Sequence, residues 1–452
     1  MINLKNQKLN QIKLIQILFC TFPISFIAGN LLLSIHLVIF VISSIFYIKK
    51  ENITFKLEIA HWLLIIFFIY TFLITTIQFQ APGFLQGKNI NWVGSWPFES
   101  KPIFKSFILI RYLILALVVH VLFTQKILDL KKLFLVSLIC SSFVSLDVIF
   151  QYYNGVDIFN FKGAVDRNSG PFGDENIAGS FLQKFSFLSI FGFLALYNKK
   201  HKNIFLIFII VLHAYALLIS GNRMPLILFF LGIFLLFIIE KKIRTVLFLS
   251  MIVFAGLFLG LLKTNEHYYT TYTTFFAEIN PIKQFKINEN KNEKNKVSSK
   301  KEINQESASV LRGSGHRSIF KTSIVIWKQQ PLFGYGLKSF RIKCWEILEK
   351  TKNPNLSCAT HSHNYYLELL SEVGIIGCFL MIVLFIIILK NSFLYLKEFN
   401  KSKNLEIYML IPLIIVLFIE FWPIKSSGSF FTTWNATFLW LYAPFILTFK
   451  KS

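Results

Sequence analysis

The sequence predicts an all-α integral membrane protein of about twelve transmembrane helices, with one large loop between the ninth and tenth. Three observations carry that prediction. Apolar runs of roughly 18–25 residues, each long enough to cross a hydrocarbon core of about 30 Å, recur along most of the chain. Hydrophobic residues make up 54% of it and charged residues only 15%, against about 25% in ordinary soluble domains. Lysines and arginines gather in short patches between the apolar runs, as expected of cytoplasmic loops. That patterning assigns the net charge of +24 to membrane topology and argues against a nucleic-acid partner.

Spans are expected at 14–28, 31–48, 61–79, 105–124, 132–153, 177–197, 204–220, 224–240, 245–263, 365–389, 406–423 and 430–448. The first run follows Lys5, Lys8 and Lys13. It lacks a small-x-small cleavage site and is succeeded at once by a second run from Leu31, so a retained helix is expected instead of a signal peptide. The patches Lys49/Lys50/Lys56, Lys126/Lys131/Lys132, Lys199/Lys200/Lys202, Lys241/Lys242/Arg244, Lys390/Lys397/Lys401/Lys403 and Lys450/Lys451 all fall on one side, with the N-terminal lysines. That side is expected to be cytoplasmic, with both termini on it, in the inner membrane of a bacterium.

The opposite, periplasmic side then receives 80–102, 154–176, the turn 221–223 and the large loop 264–364 of a single polytopic domain, 1–452. Within that loop, 286–307 is a Lys/Asn/Glu/Ser segment expected to stay disordered. Residues 313–350 regain helical apolar spacing, interrupted at Pro331 and the Gly334-Tyr335-Gly336 turn, and are expected to fold. Cys20, Cys140 and Cys378 lie in spans as small apolar fillers. Cys344 and Cys358 share the loop, where an oxidising compartment permits a disulfide.

The candidates for chemistry are polar residues at outer helix ends. The stretch "THSHNYYLELLSEVGIIG" (Thr360–Gly377) sets His361, His363 and Asn364 before the tenth span. A metal site, a catalytic base and a helix cap are the three readings. Zinc needs three or four protein ligands, and no cysteine or carboxylate stands at ligand spacing, so no metal or other cofactor is expected. Ser362 or Asn364 suits an N-cap. A histidine beside a helix N-terminus and cations stays neutral, the form that takes a proton from an attacking hydroxyl.

Arg223 in "LLISGNRMPLIL", Arg317 in "GSGHRSIF", and Arg167 with Asp174 in "DRNSGPFGDENIAGSFL" belong to the same side. An arginine at a helix end commonly anchors to phosphate headgroups. Gathered in one cavity, several of them suit a diphosphate. Glu368 and Glu372 share a helix face with Asn364 and are expected in supporting roles, orienting a histidine or an arginine. Arg111 and Asp147, inside the fourth and fifth spans, are expected to pair with each other.

Four stretches resemble the O-antigen ligase and O-antigen polymerase superfamily of bacterial envelope glycosyltransferases. "RNSGPFGDENIAGSFL" is similar to a Gly-Asn turn before a membrane helix, with Asn176 as the asparagine. "LLISGNRMP" is similar to a Ser-Gly-x-Arg motif ending at Arg223. "GHRSIFKTSIVIWKQQPLFGYGLKSF" resembles an Arg…Trp…Pro-x-x-Gly-x-Gly…Phe signature at Arg317, Trp327, Pro331, Gly334, Gly336 and Phe340. "HSHNYYLELLSEVGIIG" resembles a His-x-His-Asn…Glu-x-Gly element at His361, His363, Asn364, Glu372 and Gly374. The motifs span 165–380, and the insertion 286–307 departs from the family pattern.

The resemblance implies metal-independent transfer of a glycan from undecaprenyl diphosphate on the periplasmic face, amid membrane lipids. Lipid A–core is the acceptor in ligases, another lipid-linked repeat in polymerases, and protein in the O-oligosaccharyltransferase branch. It implies catalysis by His363 or His361, with Arg223 and Arg317 as the essential arginines; Asn364, Arg167 and Asn176 are expected beside them as further diphosphate- or substrate-binding residues. Ligase is the first reading and polymerase the close alternative. A lipid-linked sugar transporter is the reading from another class, and it would call for inverted repeats and ionisable residues at mid-membrane.

Overall fold

Nine helices among the described residues are long and apolar enough to cross a membrane, which makes this a multi-pass membrane protein. The computed structural model describes residues 2–80, 100–163, 167–197, 200–279 and 315–449; the low-complexity segment 286–307 lies outside them. The nine spans are Leu9–Ile27, Asn30–Lys50, Ile59–Gln80, Pro102–Thr124, Leu130–Asn154, Ala178–Ala195, Lys202–Ile219, Lys241–Thr264 and Tyr365–Ser402, and Arg223–Ile239 is a shorter apolar helix. No strand is present among the described residues; Val156 and Lys162 form one isolated antiparallel bridge.

Three of the twelve expected spans are not among the nine: the run 224–240 forms the 17-residue helix Arg223–Ile239, and prolines break the final two runs. The eleventh run divides into Leu405–Tyr408 and Ile411–Glu420, with Pro412 in the first turn of the second piece. The twelfth becomes Thr433–Tyr442 followed by a 3-10 turn, Ala443–Phe445, that contains Pro444. Proline lacks the amide proton that an uninterrupted helix needs, so a hydropathy run overstates the regular helix. The tenth span is longer than its apolar run and reaches Ser402 as two helical pieces joined at Gly374.

Hydrogen bonds across the chain bring the connections that carry the motifs to one end of the bundle. The Leu337 amide donates to Thr75 Oγ1 at 3.0 Å. Asn168 Nδ2 and the Tyr268 hydroxyl both donate to the Ile219 carbonyl, at 2.7 and 2.8 Å. Asn364 Nδ2 reaches the Pro423 carbonyl at 2.7 Å. The intramembrane pairing expected of Arg111 and Asp147 is not formed. Arg111 donates to Tyr112 and Thr433, whereas Asp147 Oδ1 accepts from the Ile158 amide and braces the hairpin after its helix.

The large loop carries the helices Glu266–Ile279, Gly315–Gln329 and Phe340–Thr351. The last two pack around Ile319, Ile326, Phe340, Cys344 and Ile347. A disulfide joins Cys344 to Cys358, with Cα atoms 5.5 Å apart, and ties the end of this unit to the histidine segment.

Two motif glycines dock this unit onto the long helix. At Gly374 the helix breaks, with φ +66° and ψ −171°, a conformation open almost only to glycine. The break frees amides and carbonyls that bond the Pro331–Gly336 turn. Ile375 donates to the Pro331 carbonyl at 2.9 Å, and Gly336 donates to the Glu372 carbonyl at 2.8 Å. A Cβ on Gly334 would lie 2.6 Å from the Gly374 nitrogen, and one on Gly374 would strike the Leu332 carbonyl. Gly374→Ala is therefore expected to cost about 1–3 kcal/mol from backbone strain alone. Thermal unfolding in detergent would show this as a clear fall in midpoint; an unchanged midpoint would refute the docking role.

Candidate active site

The long helix Tyr365–Ser402 opens the site. Its N-cap is Asn364, whose Oδ1 accepts from the amides of Tyr366 and Leu367 at 3.0 and 3.1 Å. The same side chain donates to the carbonyls of Pro423 and Lys425. Both ends of the Asn364 amide thus serve the fold. The cap secures the loop 423–430 beneath the histidines, and the positive end of the helix dipole faces them.

His363 adopts φ +54°, left-handed backbone that non-glycine residues seldom hold without a functional or structural reason. The Ser427 amide, donating to the His363 carbonyl at 2.8 Å, fixes that conformation. The turn brings the His361 and His363 rings to a centroid separation of 4.0 Å, and places the His316 ring 4.8 Å beyond His363. Three imidazoles therefore form a row, His361–His363–His316. His361 Nδ1 is paired with Thr360 Oγ1 at 3.0 Å.

Burial lowers all three titrations by disfavouring the charged form. His361 falls to about 3, with neighbouring His363, Lys338 and Arg341 adding to the effect. His363 falls to about 4, with His316 as the second cause. His316 is lowered further by the charge of Arg167. The row is neutral at physiological pH, so each ring offers one free-base nitrogen.

The cations divide between the two ends. Arg167, exposed, acts on His316, and Arg317 follows His316 in the first turn of the helix Gly315–Gln329. Lys338 and Arg341 act on His361. Arg223 begins the helix Arg223–Ile239 and faces Tyr272, whose hydroxyl donates to the Leu218 carbonyl at 3.2 Å. With Asn168 and Tyr268 on Ile219, this secures the helix end that carries the Ser220–Asn222 turn. Gly179 allows that close approach, since a Cβ there would lie 2.5 Å from Asn222 Cβ. Asp174 and Asn176 are exposed at the edge of this region.

The two carboxyls are engaged differently from each other. Glu368, fully buried, accepts from Ser429 Oγ at 2.5 Å and from the Phe430 amide at 2.7 Å, so it orders the 423–430 loop and not a histidine. Glu372 is buried beside Lys338 and Arg341. Behind the site, Glu420 bonds Lys184 at 2.5 Å, Lys425 at 3.0 Å and the Tyr365 hydroxyl at 2.5 Å.

Sequence reasoning passes over His316, Lys338, Arg341 and the Lys184–Glu420–Lys425 group. His316 and Arg317 are adjacent in the same motif, and Lys184 and Glu420 are ionisable residues in apolar runs, so signals for both were available. Among the described residues, no group of three or more His, Cys, Asp or Glu side chains is arranged to hold a metal ion.

Residues 205–383 match the sequence model of the O-antigen ligase family, and this supports the O-antigen ligase superfamily and an enzyme of the ligase or polymerase type. No curated protein matches the chain.

Proposed function

We propose, with the O-antigen ligase match as premise, that this protein transfers a glycan from undecaprenyl diphosphate to lipid A–core on the periplasmic face of the bacterial inner membrane. The observation that carries the reading is the neutral histidine row, with cations at both ends, beside the capped end of a membrane helix. An acceptor hydroxyl oxygen attacks the anomeric carbon of the donor. The new glycosidic bond forms as the bond from that carbon to the diphosphate oxygen breaks, and the electron pair leaves with undecaprenyl diphosphate. His363, central in the row, takes the hydroxyl proton; His361 is the neighbour that flanks it.

Arg167, at the His316 end, and Arg317, next to His316 in the chain, would neutralise charge developing on the leaving diphosphate, with Arg223 contributing from the turn after Ile219. Asn176 belongs to the donor end of this scheme through its motif alone. No metal is needed for these steps, because guanidinium groups supply the positive charge.

A polymerase would use the same chemistry on a lipid-linked acceptor, so the test is the product pattern of a deletion strain. Deletion is expected to leave fully polymerised glycan on the lipid carrier and none on lipid A–core, seen as loss of the lipopolysaccharide ladder. Surface glycan of a single repeat would identify a polymerase instead, and an unchanged ladder would overturn both.

A further inference from the structure

Buried polar atoms in folded proteins normally have a partner, so a concentration without one points to something that supplies it. Beside the histidines, Ser339 Oγ, Arg341 Nε, His361 Nε2, Glu372 Oε2 and Ser427 Oγ are buried with no hydrogen-bond partner. They come from three separate segments: the turn after Gly336, the segment spanning the histidines and the start of the long helix, and the loop 423–430. Shared neighbours draw them together. The charges of Lys338 and Arg341 act on both His361 and Glu372, and the Lys338 backbone bonds the Glu372 carboxylate. The Ser427 backbone lies against both His361 and His363.

The chemistry of these atoms narrows the ligand. Lys338 is already engaged: its Nζ donates to Ser429 Oγ at 3.2 Å, and Ser429 donates to Glu368. The Lys338 and Arg341 cations both act on the carboxyls of Glu368 and Glu372, so neither sign dominates, and the atoms left open are Arg341 Nε, Glu372 Oε2, two hydroxyls and an imidazole nitrogen. A site of donors and acceptors with balanced charge does not select a diphosphate. It suits a ligand that both gives and receives hydrogen bonds, as sugar hydroxyls do.

Its position assigns it to one substrate. Arg167 acts at the His316 end of the row, whereas these atoms lie at the His361 end. We infer that Ser339, Arg341, Glu372 and Ser427 form a subsite for the hydroxyls of a neutral sugar of the acceptor glycan, across His363 from the diphosphate. The inference rests on the transferase reading above.

Two measurements on the full-length protein in nanodiscs test it. The first is steady-state transfer from an undecaprenyl-diphosphate-linked glycan to lipid A–core. The second is saturation-transfer NMR with delipidated core oligosaccharide alone, which needs no turnover. Arg341→Gln and Glu372→Gln are each expected to raise the acceptor KM roughly tenfold, leave the donor KM unchanged and abolish the oligosaccharide signal. Ser427→Ala removes one hydroxyl and spares the backbone bonds, so it reports even where the charged variants fail to fold; about a threefold rise in acceptor KM is expected.

A rise in donor KM instead, or an unchanged acceptor KM in Ser427→Ala and the folded charged variants, would overturn the subsite. If wild type binds the oligosaccharide through Arg341 without transferring to lipid A–core, the transferase reading fails and the subsite stands. If transfer occurs independently of all three residues, the subsite alone fails.

Discussion

Replacing His363 by alanine is expected to lower glycan transfer by roughly 10²–10⁴-fold, the usual contribution of a positioned general base. Its ring lies between His361 and His316, so no single neighbour can take over its position. The check is transfer by purified protein, together with recovery of the lipopolysaccharide ladder in a deletion strain. Retained transfer at more than about a tenth of the wild-type rate would sink the base assignment.

The pH dependence sharpens this result, and its sign follows from the neutral form being active. Burial and His316 hold the His363 imidazole down at about 4, so in the free protein it loses its proton far below the ordinary histidine range. Transfer measured as kcat/KM should therefore stay level from pH 8 to about 5.5 and fall only as the pH approaches 4. A bound diphosphate offsets the surrounding cations and favours imidazolium, which moves the acid limb of kcat upward. An acid limb of kcat/KM centred near 6.5 would show that the base is a solvated histidine elsewhere.

The legible part of this architecture is what repeats along the chain. Apolar runs and lysine patches mark the spans, and Asn364 before an apolar run marks the helix start at Tyr365. Cys344 and Cys358 can be paired from their shared loop alone. Hydropathy averaging conceals Pro412 and Pro444, so the final runs read as whole spans although each is broken.

The Pro-x-x-Gly-x-Gly and Glu-x-Gly patterns are visible as patterns, but their purpose is tertiary. Gly334 and Gly374 meet only because the loop folds back onto the long helix. The same limit applies to the site. His316 is separated from His363 by most of the loop helices, and no periodicity encodes their contact. Asn364 looks like a substrate contact by motif, yet its hydrogen-bonding capacity is absorbed by the helix end and the loop 423–430. Local sequence specifies which residues are polar at a helix end; packing decides which of them remain open to a ligand.

Glu420→Gln is expected to be the most destabilising single substitution around the site. It would leave Lys184 and Lys425, both buried, without their shared counter-charge. Breaking a buried ion pair from one side costs about 3–5 kcal/mol, because the remaining charge stays desolvated. Lys184→Met is the informative contrast. It forfeits the Lys184–Glu420 bond and the contacts of Lys184 with Trp434 and Phe438 but leaves the Lys425–Glu420 pair balanced, with no buried charge stranded, so a cost of only about 1–2 kcal/mol is expected.

The consequence reaches the chemistry through one short loop. Lys425 presents its carbonyl to Asn364, and Ser427, two residues later, holds His363 in its left-handed turn. Any Glu420→Gln protein that does fold should therefore lose transfer activity, whereas Lys184→Met should retain most of it. Thermal unfolding in detergent ranks the stabilities, and transfer to lipid A–core ranks the activities. Equal unfolding midpoints for Glu420→Gln and wild type would mean that the two lysines do not depend on Glu420. The loop 423–430 would then owe its order to Glu368 and Ser429 alone.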